Sequence, residues 1–131
     1  MHSAESIAHS GGLIPKFRFQ DLDIWKLSVE IANILFDIAE DLDERRFFRF
    51  AEQLRGAGIS MSNNIAEGSG SSSQRDFVHF LNMARRSTFE NANMVIIYAL
   101  RGLIAADVRD AVLGKLDMLC RKITSFQRTL R

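Results

Sequence analysis

The chain has 131 residues, of which 47% are apolar and 25% charged, and its formal net charge is +1. That length suits one domain burying roughly two-thirds of its unfolded surface. The near-zero charge argues against a protein that binds nucleic acid through its whole surface, and a single cysteine, Cys120, excludes an internal disulfide.

Residues 1–18 are polar, carry Gly, Ser and the one proline, Pro15, and read as a flexible arm that also holds His2 and His9. They show no apolar run like that of a cleaved leader, and no window approaches the roughly 20 apolar residues of a membrane span. A cytoplasmic location without membrane association is the expectation. Residues 19–131 read as four helices. The first is predicted from about Asp21 to Asp41, with Asp21 or Asp23 as its cap. One apolar stripe on it holds Trp25, Val29, Ala32, Phe36 and Ala39; a second holds Ile24, Leu27, Ile31, Ile34 or Leu35, Ile38 and Leu42.

The second helix is predicted to open near Glu44 and to end at Gly68, a glycine suited to a left-handed terminus. Leu54, Ala57, Met61, Ile65 and Gly68 recur along it at spacings of three and four. Between them crowd Gly56, Gly58, Ser60, Ser62, Asn63 and Asn64, each costing about several tenths of a kcal/mol in helix propensity. Gly68-Ser69-Gly70-Ser71-Ser72 reads as a loop. Ser73-Gln74-Arg75-Asp76 then has the S-x-x-D form of a capping box, which opens a third helix running to about Leu103. It too carries two stripes: Phe77, Phe80, Leu81, Ala84, Val95 and Tyr98 on one, Phe89, Ala92, Ile96, Ala99 and Leu103 on the other. Asp107 is the predicted cap of the fourth helix, where Cys120 lies among Leu116, Leu119 and Ile123 as a small core hydrophobe.

With no strand alternation, no repeat and only short connections, this pattern predicts an all-α, single-domain, antiparallel up-down-up-down four-helix bundle. A monomeric bundle helix needs one apolar stripe. Two doubly striped helices therefore predict that another copy of the chain covers part of the surface, making a homo-oligomer. Charge is segregated as well. Residues 19–67 hold five Lys/Arg against ten Asp/Glu, a net of −5, while residues 101–131 hold seven against three, a net of +4. The simplest consequence is that the acidic first helix and the basic last helix lie together.

Catalytic chemistry has little to use. Di-metal sites in bundles need a Glu-x-x-His pair from each of two helices, and only Asp76-Phe77-Val78-His79 echoes it once. No G-x-S-x-G elbow or lysine-bearing phosphate loop is present. No catalytic residue, metal, cofactor or small-molecule substrate is expected. The stronger lead is polar. Gln53, Ser60, Asn64 and Glu67 share one face of the second helix, and the third offers Arg86, Ser87, Glu90 and Asn91 on neighbouring turns. If these faces meet, Gln53, Ser60, Asn64, Glu67, Ser87 and Glu90 can form an inter-helix polar network that specifies register. Candidate phosphate contacts are Arg85, Arg86, Arg121, Lys122 and Arg128, whereas Phe77, Phe80 and Phe89 sit at core spacing rather than at a stacking surface.

Phe19-Gln20-Asp21-Leu22-Asp23-Ile24-Trp25, Gln53-Leu54-Arg55, Asn64-Ile65-Ala66-Glu67-Gly68, Asp76-Phe77-Val78-His79-Phe80-Leu81-Asn82-Met83-Ala84 and Ser87-Thr88-Phe89-Glu90 carry a resemblance. Together they resemble the four-helix bundle proteins encoded in intervening sequences of bacterial 23S ribosomal RNA genes. That family is similar in turn to the accessory variability proteins of diversity-generating retroelements, pentameric barrels that bind a reverse transcriptase and nucleic acid. The resemblance implies a homopentamer with a non-enzymatic role and structured RNA or a reverse transcriptase as partner. Two departures stand out. Ser62 replaces a proline common in the family, implying a straighter helix, and Gly56 and Gly58 replace bulkier residues, implying closer packing.

Overall fold

The computed structural model describes residues 13–130. Residues 1–12, with His2 and His9 and most of the predicted arm, lie outside that range, as does Arg131. A short 3-10 helix, Arg18–Asp21, leads into α1 (Asp23–Glu44), α2 (Phe48–Ser69), α3 (Gln74–Leu100) and α4 (Ala106–Thr129). No strand occurs among the described residues. Each helix packs on its chain neighbours, and α4 returns to α1, so the four surround one core. Ile31, Leu35, Leu42, Leu54, Met61, Ile65, Leu81, Leu116, Leu119 and Ile123 are completely or almost completely buried in it.

The helix ends differ from expectation where the backbone, not composition, decides. Neither Asp21 nor Asp23 caps α1: Leu22 holds the N-cap position and no side chain bonds the first turn. The chain leaves α1 through Arg46, whose φ of 69° is left-handed, and the Phe47 amide donates to the Leu42 carbonyl at 2.8 Å. Helix α3 leaves in the same way through Gly102, φ 74°, with the Leu103 amide donating to Tyr98 at 2.8 Å. Both endings join the third residue beyond the helix to a carbonyl in its last turn, the Schellman arrangement. Arg46 tolerates what is usually a glycine position, so α1 runs three residues past its predicted end.

Gly68 does not terminate α2. It lies inside the helix, which continues to Ser69, and Gly70 follows with a right-handed φ of −82°. Its lack of a side chain serves packing: a Cβ there would stand 2.6 Å from Phe80 Cβ and 2.9 Å from Phe77 Cδ1. Gly58 likewise lets α2 approach Leu35 of α1, with a Cβ position 3.2 Å from Leu35 Cδ1, but Gly56 faces open space and brings nothing closer. Ser73 caps α3 by accepting from the Asp76 amide at 3.1 Å. Asp107 falls within the first turn of α4 rather than at its cap, which is Ala105.

Polar ties pin the ends and middles of the helices. Arg18 donates to the Ser69 carbonyl, with Nε at 2.7 Å, closing the start of α1 onto the end of α2. Arg45 Nη2 reaches the Leu103 carbonyl at 2.5 Å, and Arg55 of α2 pairs with Asp43 of α1. Tyr98 Oη donates to Phe50 O at 2.8 Å, and burial raises its phenol pKa. Gln127 Nε2 donates to Val78 O at 3.2 Å, tying the end of α4 to the start of α3. Lys115 of α4 pairs with Glu30 of α1, so the acidic and basic helices do lie side by side.

Candidate functional site

Helix α2 presents Gln53, Ser60, Asn64 and Glu67 on one face, but that face is its outer flank. Gln53 and Glu67 are exposed; Ser60 and Asn64 are half-buried. Asn64 Nδ2 donates to the Ser60 carbonyl at 2.9 Å and lies 3.4 Å from Ser60 Oγ, a local bond within the helix. No hydrogen bond joins these four to Ser87 or Glu90 among the described residues. In place of the expected network, Tyr98 crosses to Phe50 near one end of the α2–α3 seam and Asn91 crosses at its middle. Asn91, completely buried, donates from Nδ2 to the Ala57 carbonyl of α2 and to the Ser87 carbonyl of its own helix, both at 2.8 Å. The physical reason is depth: Asn91 lies inside the α2–α3 seam, where a donor must find an acceptor, while Glu67 and Glu90 reach water.

Three of the six expected residues still meet. Ser60, Ser87 and Glu90 line a cleft of about 390 Å³ between α2 and α3, together with Met83 and Arg86. Arg86 and Glu90 are one turn apart and exposed, yet form no ion pair with each other. Beneath them Ser87, only 6% exposed, has a hydroxyl without a partner, and Asn91 Oδ1 one turn further is also unpartnered. Buried polar atoms of this kind are rare and call for an explanation.

The five candidate cations do not form one surface. Arg85 is half-buried along α3, its guanidinium 5.9 Å from the Phe89 ring and its Nε unpartnered. Arg86 enters the cleft. Arg121 is held by Asp117 at 2.9 Å, which raises its pKa. Lys122 lines a groove with Asp21 and Asp23 of the α1 entry, and Arg128 is exposed near the end of α4. The spacing of other arginines carries a line that composition alone did not reveal. Arg75 lies eleven residues before Arg86, Arg101 eleven after Glu90, and Arg49 eleven before Ser60. Eleven residues are three helical turns, so each falls on the flank that bears the cleft. All three are exposed and in no ion pair among the described residues.

His79 is exposed, its ring edge-on to Phe80 at 6.0 Å. No group of three or more His, Cys, Asp or Glu among the described residues is arranged to share a metal ion. Cys120 is half-buried rather than sealed in the core, and lines a groove with Phe89, Ala92 and Leu113.

Residues 20–125 match the family model of the 23S rRNA-intervening sequence protein. The chain belongs to this family. Its fold is shared with a crystal structure of a protein of unknown function from the S23 ribosomal protein family of Bacteroides thetaiotaomicron, at a TM-score of 0.75 and 20% sequence identity. The likeness covers 79% of this chain and 97% of that one. No curated protein matches the sequence significantly. The family's match spans the whole α1–α3 region and most of α4, so the α2–α3 cleft and its flanking arginines lie within the segment that defines membership. No helix among the described residues is long and apolar enough to cross a membrane.

Proposed function

We propose that the chain is a cytoplasmic, non-enzymatic homo-oligomer, an antiparallel up-down-up-down bundle assembling as a pentamer and acting as a scaffold associated with RNA or with a reverse transcriptase. The antiparallel arrangement is supported by the ties between helix ends: Arg18 to Ser69, Arg45 to Leu103, Gln127 to Val78. The observation that carries the oligomer is on α3. Its first stripe is in the core, but Phe89 and Ile96 of the second stripe are 62% and 40% exposed and Leu100, beside them on the same flank, is 78% exposed, although Leu103 at the end of that stripe is buried. On a monomer an aligned apolar row of this kind stays in water; a second copy removes it. The α1 stripes, by contrast, are covered within the chain, Ala32 and Ala39 fully and Trp25, Val29 and Phe36 in part, so the oligomer rests on α3 alone. Association with RNA rests on family membership and on the unpaired arginines along α2 and α3.

Light scattering at micromolar concentration, followed by a gel shift with structured RNA at about 50 mM salt, tests both parts. A mass several times 14.8 kDa and a salt-sensitive shift are expected. A monomer would overturn the assembly. A multimer that retains no RNA would leave a protein-interaction bundle instead.

A further inference from the structure

We propose that the α2–α3 cleft holds one unstacked guanine base of single-stranded RNA, with the flanking arginines taking phosphates further along the strand on either side. The proposal rests on the RNA-associated reading and names the chemistry of its contact. Guanine offers donors at N1 and N2 on one edge and acceptors at O6 and N7 on the next. The cleft offers the complement: a free carboxylate on Glu90 for the donors, a free guanidinium on Arg86 for the acceptors. Ser87, 6% exposed and with its hydroxyl unpartnered, forms part of the wall of the cleft. Met83 gives the ring face an apolar thioether contact. Adenine would turn an unprotonated N1 toward the carboxylate, leaving it unpaired, and would offer the guanidinium only N7 beside a repelling amino group.

The surroundings fit a strand rather than a duplex. The cleft is open to solvent, and Arg75 within α3 and Arg101 at its C-cap lie about 16 Å to either side of Arg86 and Glu90 respectively, from eleven residues at the helical rise. Arg49 stands on α2 in line with Ser60. Phosphates extending both ways from a bound base would meet these cations, while Glu90 keeps the centre selective. A near-neutral protein can bind RNA in this manner because the cations are concentrated on one flank.

The test is fluorescence anisotropy with the intact protein and a labelled seven-nucleotide oligoadenylate, compared with the same strand bearing one central guanosine. The guanosine strand should bind at least about tenfold more tightly. Glu90→Gln and Arg86→Ala, both exposed positions, should each reduce that ratio towards one, with unchanged circular dichroism. Equal affinity for the two strands would overturn the guanine site and leave the RNA reading standing. A guanine preference surviving both substitutions would remove it from this cleft. Binding of neither strand nor of structured RNA would overturn the RNA reading itself.

Discussion

Gly68 and Asn91 show how single residues set the geometry of the α2–α3 seam. Where a Cβ at Gly68 would press into Phe77 and Phe80, the clash is with ring and backbone-proximal carbons that cannot swing aside. Gly68→Ala should therefore destabilise by about 1–3 kcal/mol. Gly56 and Gly114 are helical and face open space, so alanine at either should stabilise by about 0.5–1 kcal/mol through the unfolded chain. Urea denaturation of the three variants separates the cases; a neutral Gly68→Ala would mean that the rings have room to move. From the sequence Gly68 reads as a helix terminus and Gly56 as a helix-weakening residue. Only the neighbour across the seam distinguishes a glycine that must be small from one that merely is. Arg46 makes the same point at a turn: nothing in its chemistry announces a left-handed backbone, so the sequence pattern ends α1 three residues early.

Among the helices, α3 is the most informative, because its two stripes have different fates. Periodicity finds both, since each repeats at three and four residues, but it cannot say which one the bundle covers. The outer polar line of α2 is legible to the same extent: its residues do share a face, and the packing of α3 places that face at the edge of a cleft. The crossing bond falls to Asn91, whose amide holds α2 and α3 in register through the Ala57 carbonyl. Asn91→Ala should lose about 1–3 kcal/mol by removing a buried donor with two acceptors. Thermal unfolding followed by circular dichroism checks this, and a midpoint unchanged from the parent would show that the Asn91 bond does not hold the seam.

For the whole molecule, the segregated charge is absorbed internally, at least in part, by Lys115–Glu30, and Arg55–Asp43 adds a second bridge within the acidic region. Among the apolar side chains left outside, Phe89 and Leu100 of α3 lie on a common flank of that helix. Phe89→Asp combined with Leu100→Asp should bring the mass in solution down to that of one chain, 14.8 kDa, without loss of helix, because both side chains already face water. Sedimentation velocity reads the result; an assembly that persists would place the contact on another face. Composition, periodicity and turn residues by themselves determined four helices, an all-α class, the helix-opening role of Ser73 and, through short motifs, the family, since these are properties of local chain segments. The tertiary structure alone decided which apolar stripe is core, which glycines are tight, that Asn91 rather than Glu67 spans the seam, and that Arg86, Ser87 and Glu90 border one cleft. Each depends on which element stands opposite, and a single strand of sequence carries no coordinate for that.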